Sequence, residues 1–416
     1  MEMRQLLQEL HQYMQDREQE MVEFLASLVR IKSITYEEGA AIAWLQEKLE
    51  SYGYDEVAID AAGNCLARMG SGKTKVLADA HIDTVEPGDP RDWGFNPLEP
   101  RITATTISGR GVVDDKGPLT ALVFAGRAIK ALGLESEVSF YLSASISEED
   151  VEGSCVKAMM EQLSWRPDAI IVAESSDNHI IRGHKGRALI RMEVKGKAAH
   201  ASEAHMGENA LIKAIPLILA LDAYDQLPSD EFLGKGTLEV TKVICDTPSL
   251  NTIPGKVTVI ADRRISAGET QEELLKELHD ILKLSDATAS IDVEEVTTYT
   301  GYSISQEDYF PSWVLEESHP LIASAKEAFL QVTQTKPVVT KWDFCTNATY
   351  LCGITGIPSV GFGPGDHTLC HSDHEILSFE ELVTSAQVYM MIALLFARNQ
   401  RNLLPEIDGD SKDISG

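Results

Sequence analysis

Apolar and polar positions along the chain switch between two spacings. Over residues 1–31 apolar side chains recur at helical intervals with polar residues running through the pattern, which predicts an amphipathic helix, not a secretory signal or a membrane span. Residues 37–52 predict a second helix, and 57–69 and 75–80 read as two strands. Gly70-Ser71-Gly72-Lys73-Thr74 lies between them and has part of the composition of a phosphate-binding loop. Position 67 is Ala where that motif needs its first Gly, however, and a strand follows where a helix should, so a hairpin turn is expected. A helix at 117–132, a strand at 138–146, a helix at 155–163 and a strand at 169–173 follow. These strands are nearly continuous apolar runs, the pattern of a sheet covered by helices on both faces.

From residue 188 the order becomes strand (188–196), helix (207–225), strand (237–245), strand (256–266), helix (270–283) and strand (290–298). This βαββαβ order is that of a ferredoxin-like unit, and its place between two stretches of α/β pattern predicts an inserted second domain. The α/β pattern resumes with a helix at 321–333, a helix near 348, a strand at 359–362 and a helix at 379–397, and 402–416 reads as a frayed tail. The expected organisation is a main α/β domain formed by 1–186 and 299–416, with 187–298 as the insertion. A chain of 416 residues exceeds what one hydrophobic core usually supports, which agrees with two domains.

Charge removes several function classes. With 36 Lys+Arg against 65 Asp+Glu the formal net charge is -29, a field that repels phosphate backbones and anionic lipid. Neither nucleic acid nor a membrane surface is an expected partner. The six cysteines stand singly, without the spacing of a disulfide framework or a thiolate zinc site, so a reducing cytoplasm is expected. Asn347-Ala348-Thr349 matches a glycosylation acceptor, which in that setting is chance.

Several predicted strands of the larger domain run directly into residues able to bind a metal. The strand at 75–80 leads to His81 and Asp83, 138–146 to Glu148, Glu149 and Asp150, 169–173 to Glu174, and 359–362 to the loop holding His371. In open α/β sheets such strand ends form ligand crevices. Residues two apart in extended chain share a face, so Asp83 is placed to bond the outer nitrogen of His81 and fix its tautomer. The Asp114-Asp115-Lys116-Gly117 turn adds further carboxylate. So many acids in one crevice repel one another unless cations offset them, which makes divalent metals the natural counterions. The same ligand set would serve an amide hydrolase, a phosphoesterase or a non-catalytic metal store.

In order and spacing, the blocks LADAHIDTV, GRGVVDDKGP, SEEDVEGS, VAESSD, GKAAHAS, LNTIPGKVTVIADRR and VGFGPGDHTLCHSDHE resemble the family of succinyl-diaminopimelate desuccinylase, acetylornithine deacetylase, aminoacylase and carboxypeptidase G. The likeness runs from about Phe24 to Ala397, and YTGYSISQEDYFPSW with WDFCTN is similar to a subgroup of peptidases associated with selenium metabolism. The resemblance implies a zinc-peptidase-like catalytic domain with a mixed sheet covered by helices, and a lid and dimerisation role for the insertion. It implies two divalent metal ions, zinc first with cobalt or manganese as alternatives. His81 and Glu174 would hold one, Glu149 and His371 the other, and Asp114 would bridge them, with the peptide after Asp114 often cis in the family. Glu148 matches the general base, which passes a proton from an activated water to the leaving nitrogen. Asp83 would support His81. His200 matches a histidine that stabilises the oxyanion from the other subunit, which implies a homodimer. Asn251 and Arg264 match substrate-binding positions, Arg264 through a planar fork suited to a carboxylate.

The implied activity is hydrolysis of an amide bond in a small-molecule N-acyl amino acid or short peptide. A metal-dependent binding protein with a degenerate centre is the alternative, and phosphoester hydrolysis ranks last because no dedicated phosphate loop is present. Departures from the family pattern concern the longer spacing after Glu149, which makes Asp150 a rival ligand, and the histidines His367 and His374, which are expected to be exposed loop residues beside His371. Lys185 and Arg187, near the domain junction, are expected to be structural.

Overall fold

A computed structural model describes residues 2–245 and 247–403. The first predicted helix is in fact two, Met3–Gln15 and Glu18–Arg30, interrupted at Asp16 and Arg17. The interruption lets Leu6, Leu10 and Met14 reach the same core as Met21, Leu25 and Leu28. A continuous helix would gain little on its own, because helical stability in proteins comes mainly from packing an apolar face.

The segment predicted as one strand at 57–69 is a hairpin, with Glu56–Ile59 antiparallel to Cys65–Met69. The Asp60 carboxylate closes its turn by accepting the backbone N–H groups of Gly63 at 2.7 Å and Asn64 at 2.9 Å. Conversely, the hairpin expected at 70–74 does not form. Cys65–Met69 and Lys75–His81 lie on opposite sides of Ser139–Ser145, the first antiparallel to it and the second parallel. Gly70 and Gly72 press against the backbone that leads into that intervening strand. A Cβ would stand 2.3 Å from the Val138 carbonyl oxygen at Gly70 and 2.3 Å from the Val138 nitrogen at Gly72. These glycines therefore permit close approach instead of a turn.

The large sheet is nine-stranded, in the order Glu56–Ile59, Cys65–Met69, Ser139–Ser145, Lys75–His81, Ala169–Val172, Ser359–Gly361, Ile180–His184 and Trp313–Val314, with Val339–Trp342 also on Ile180–His184. The central strands from Ser139–Ser145 to Ser359–Gly361 are mutually parallel, so their carboxyl ends share one edge. The outer pairings are mostly antiparallel, which makes the sheet mixed. Lys116–Ala131 covers it and is buried around nearly its whole circumference, with Phe379–Leu403 packed alongside. The latter is apolar and long enough to cross a membrane by composition, but 83% of its apolar window is buried in the fold, which makes it a core helix. It runs through Leu403, and the rest of the predicted tail, 404–416, lies outside the described residues.

A second hydrophobic cluster shares no residue with the first. Its antiparallel sheet has the order Thr237–Ile244, Lys256–Ile265, Gly186–Lys195 and Ala287–Ile291, with Tyr309–Phe310 also paired to Gly186–Lys195. Ala210–Asp222 and the broken pair Gln271–Glu277 and His279–Lys283 cover one face, over Ile190, Met192, Val257 and Val259. The βαββαβ order is present, but the strand predicted at 290–298 is split. Ala287–Ile291 stays in the sheet, while Val293–Thr297 leaves it to pair with Ser303–Glu307. Asp292 marks the break and is gripped by the Arg191 Nε at 2.7 and 2.6 Å.

Candidate metal centre and active site

Because the central strands are parallel, the residues that follow them meet at one edge. Asp114, Glu148, Glu149, Glu174 and His371 line a single cleft of about 320 Å³. His81, at the end of Lys75–His81, lies just beneath, with Nε2 2.9 Å from Asp114 Oδ1 and 3.8 Å from Glu174 Oε1. From the other side His371 Nε2 is 2.8 Å from Glu149 Oε2 and 3.3 Å from Asp114 Oδ2. Asp114 thus stands between the histidines, one oxygen toward each. The Asp114–Asp115 peptide is cis.

This donor set fits divalent cations. Around a tetrahedral zinc with bonds of about 2.0–2.1 Å, ligand atoms stand roughly 3.4 Å apart, and the separations of 2.8 to 3.8 Å found here bracket that spacing. Donor atoms of His81, Asp114 and Glu149 lie within 4.8 Å of one another, as do those of His81, Asp115 and Glu174. Asp115 is the less suitable of the two neighbouring acids, since its Oδ2 already accepts the His81 backbone N–H at 3.0 Å and it does not line the cleft.

The electrostatics point the same way. Burial pushes Glu174 up to about 8 and Glu148 well above the usual carboxylate range, with neighbouring carboxylates adding to both. Hydrogen bonds to Asp114 and Glu149 push His371 up to about 10. Burial opposes the same effect at His81, whose acidic neighbours still raise it well above its ordinary value. Without cations the centre therefore holds protons it would release to a metal. Glu148 Oε1 is buried with no hydrogen-bond partner among the described residues. Such a group is costly unless something outside the protein completes it.

Backbone conformation aims these side chains. Ser147, immediately before Glu148, has φ +54° and His371 has φ +60°, both in the left-handed region that non-glycine residues seldom enter. Gly363 lets the loop toward His371 pass close to the Glu174 backbone, since a Cβ there would stand 2.3 Å from the Glu174 carbonyl oxygen.

Asp83 supports the centre differently from the expectation. The nearer contact to His81 Nδ1 is the Asp83 backbone carbonyl at 3.0 Å, with the carboxylate at 3.4 Å. That carboxylate instead accepts the backbone N–H groups of Glu148 at 3.1 Å and Glu149 at 3.3 Å, and the Thr35 hydroxyl at 3.0 Å. One buried acid thereby ties the histidine loop to the Glu148-Glu149 turn.

Glu375, the last residue of the VGFGPGDHTLCHSDHE block, supports the centre from beneath another loop. It accepts the N–H groups of Gly111 and Val113 at 3.0 Å and of Asp114 at 3.4 Å, and pairs with buried Arg110. It thus fastens the loop that carries Asp114. Glu375→Ala would leave Arg110 buried without its partner, and is expected to lower unfolding free energy by about 3–5 kcal/mol. Denaturant unfolding checks this, and a loss below about 1 kcal/mol would show that the loop is held by other contacts.

The remaining candidates divide. Arg264 lines the cleft, whereas His200 and Asn251 do not. These two are exposed and pair with each other, Asn251 Nδ2 to His200 Nε2 at 3.1 Å. Asp150 accepts the Tyr36 hydroxyl at 2.5 Å and lies outside the cleft lining. His374 is exposed beside Asp373, while His367 is exposed yet forms part of the cleft wall with Phe344, Cys345 and Cys370. Burial pushes His184 down to about 4, so it is a neutral core histidine whose Nδ1 lies 2.8 Å from the Lys185 carbonyl oxygen. Asn347 is buried and joins Asp79, Ser145 and Gly153, which excludes it as a glycan acceptor in this fold. Arg187, expected to be structural, lines the cleft and bonds Glu152 at 3.1 Å. The alternation of its strand could have signalled that placement, but only with the partner strand's register known.

Comparison with known proteins gives the family and the fold. Residues 77–395 match the family model described as Peptidase family M20/M25/M40. The chain is 37% identical over 382 residues to the Escherichia coli (strain K12) protein YgeY, covering 91% of this chain and 95% of the relative. It is 24% identical over 412 residues to a Staphylococcus epidermidis protein named "Probable succinyl-diaminopimelate desuccinylase", covering 89% and 96% of the two chains. The solved structure of Bacillus subtilis YXEP, described as a dinuclear metal binding peptidase from the M20 family, superposes with a TM-score of 0.66 at 12% identity, over 92% of this chain and 99% of that one. That likeness concerns the fold. With its candidate metal ligands gathered on the parallel strand edge and most of its length matched, the chain belongs to peptidase family M20/M25/M40 and is a hydrolase of amide or peptide bonds.

Proposed function

We propose that this chain uses two divalent cations, zinc in the first instance, to hydrolyse the amide bond of an N-acyl amino acid or short peptide. His81 and Glu174 would hold one cation, Glu149 and His371 the other, and Asp114 would contribute to both. The observation that carries this reading is the position of Asp114, with one carboxylate oxygen near each histidine. The description of YXEP as dinuclear supports it. When bound, the cations polarise the substrate carbonyl and make water in the cleft more acidic.

Glu148 is the proton carrier. Its free oxygen takes a proton from the attacking water and delivers it to the leaving nitrogen, while the Asp83 carboxylate holds the Glu148 backbone in place. Arg264, in the cleft lining, binds the substrate carboxylate. His200 and Asn251 act on the oxyanion and substrate from the partner subunit of a homodimer, which accounts for their absence from the cleft of their own chain. The insertion at 187–298 is then a lid and dimerisation domain. Exposed Ile212, Ile215 and Leu219 on Ala210–Asp222 supply an apolar face for that contact. Six unpaired cysteines among the described residues suit a reducing cytoplasm.

The test is a panel of N-acetyl amino acids and dipeptides offered to metal-stripped and reconstituted protein. Chelation is expected to abolish turnover, and zinc, cobalt or manganese to restore it. Ligand-induced thermal stabilisation without product would favour a binding protein instead, and turnover indifferent to chelation would defeat the metal mechanism.

A further inference from the structure

Arg187 and Arg264 are direct cross-strand partners in the antiparallel pairing of Gly186–Lys195 with Lys256–Ile265. Residues opposite each other share a sheet face with Cβ atoms about 4.5–5.5 Å apart, and like charges so placed are destabilising. The opposite face is the one buried beneath the helices, so this face is free to serve the cleft. Both arginines line that cleft together with Asp114, Glu148, Glu149, Glu174 and His371. Two adjacent cations thus face the candidate metal centre, each with one carboxylate partner of its own.

Each guanidinium is oriented by one carboxylate and keeps donors in reserve. Arg264 uses Nε at 2.9 Å and Nη2 at 3.4 Å on Asp262. Arg187 uses only Nη2, on Glu152 at 3.1 Å, and its Nε is buried without a partner among the described residues. On its other side Arg187 is opposite Phe310, with the guanidinium carbon 4.9 Å from the ring centroid. The ring and Glu152 hold Arg187 in place beside Arg264. A single carboxylate would occupy the free donors of one guanidinium, whereas two carboxylates on one ligand would engage those of both.

We propose that Arg187 acts with Arg264 as a specificity-determining pair for a dicarboxylate, so that the substrate is an N-acyl or N-peptidyl derivative of aspartate or glutamate. This rests on the amide-hydrolase reading above. The carbonyl–nitrogen bond breaks, water supplies the new oxygen on carbon, and the acidic amino acid leaves as a free amine with both carboxylates on the arginines.

The experiment compares kcat/KM for N-acetyl-glutamate with N-acetyl-glutamine, and for N-acetyl-aspartate with N-acetyl-asparagine, using metal-loaded protein. Each neutral amide matches its acid in shape. The acidic member is expected to be favoured about tenfold or more, equivalent to at least about 1.4 kcal/mol. Arg187→Met is expected to collapse that ratio toward one, and Arg187→Lys to give an intermediate value. Calorimetry with glutamate and glutamine should show the same preference in binding without turnover. Equal rates on the acid and the neutral amide in the unaltered protein would overturn the pair's role while leaving amide hydrolysis standing. So would a loss in Arg187→Met that falls equally on both substrates. Turnover of no acylated amino acid or peptide at all would instead remove the hydrolase reading beneath it.

Discussion

Glu148→Gln is expected to lower kcat by about 10²–10⁴-fold, the usual worth of a positioned general acid–base. The substitution keeps the shape of a side chain that is almost wholly buried. It also keeps the backbone N–H that bonds Asp83, so the turn carrying Glu149 should stay in place. What it removes is the ability to hold and return a proton at an oxygen without a hydrogen-bond partner among the described residues. Metal content and melting temperature should therefore stay near those of the unaltered protein while turnover collapses. Steady-state kinetics with metal analysis on the same sample separates this from a folding defect. Wild-type kcat in the variant would assign the proton transfer to another residue. A parallel loss of metal would make Glu148 a ligand.

Asp114→Ala is expected to have an effect at least as large by a different route. His81 and His371 each lie within hydrogen-bonding or ion-pair distance of this one carboxylate, on separate oxygens. Removing it takes a ligand from both cations at once and also an acid whose charge helps balance them. Turnover should fall by about 10³-fold or more, and bound metal should drop from two equivalents to one or fewer. The contrast between the two variants is diagnostic, since one loses chemistry with metal retained and the other loses both. Full metal occupancy in Asp114→Ala would deny it the bridging position.

Much of the centre was legible in sequence because its residues follow apolar runs. A buried parallel strand must be apolar along its length, so a histidine or acid at its end stands out, as His81, Glu148, Glu149 and Glu174 do. Which strands neighbour one another was not legible. The hairpin expected at 70–74 failed because Ser139–Ser145, far along the chain, inserts between its two strands, and local turn composition carries no information about such an insertion. Strand breaks fixed by single acids, at Asp60 and Asp292, were also hidden, since each depends on what its carboxylate meets after folding. Ile180–His184 and Val339–Trp342 escaped notice because they are short and mix charged residues with apolar ones.

The same limit applies to the outer parts of the site. Arg187 looked like a junction residue until its register placed it opposite Arg264. Glu375, the last residue of the block that holds His371, showed nothing in the sequence of its carboxylate's hold on the backbone of the Asp114 loop. His200 and Asn251 are legible as motif positions, but their own chain does not bring them to its cleft. The second subunit proposed to receive them would be invisible to periodicity.

The most direct measurement is an anomalous difference map from crystals grown with zinc, recorded on both sides of the zinc edge. Two peaks are predicted, one against His81 and Glu174, the other against Glu149 and His371, with Asp114 touching both. A single peak, or a pair that leaves Asp114 uncoordinated, would contradict the proposed chemistry at its root.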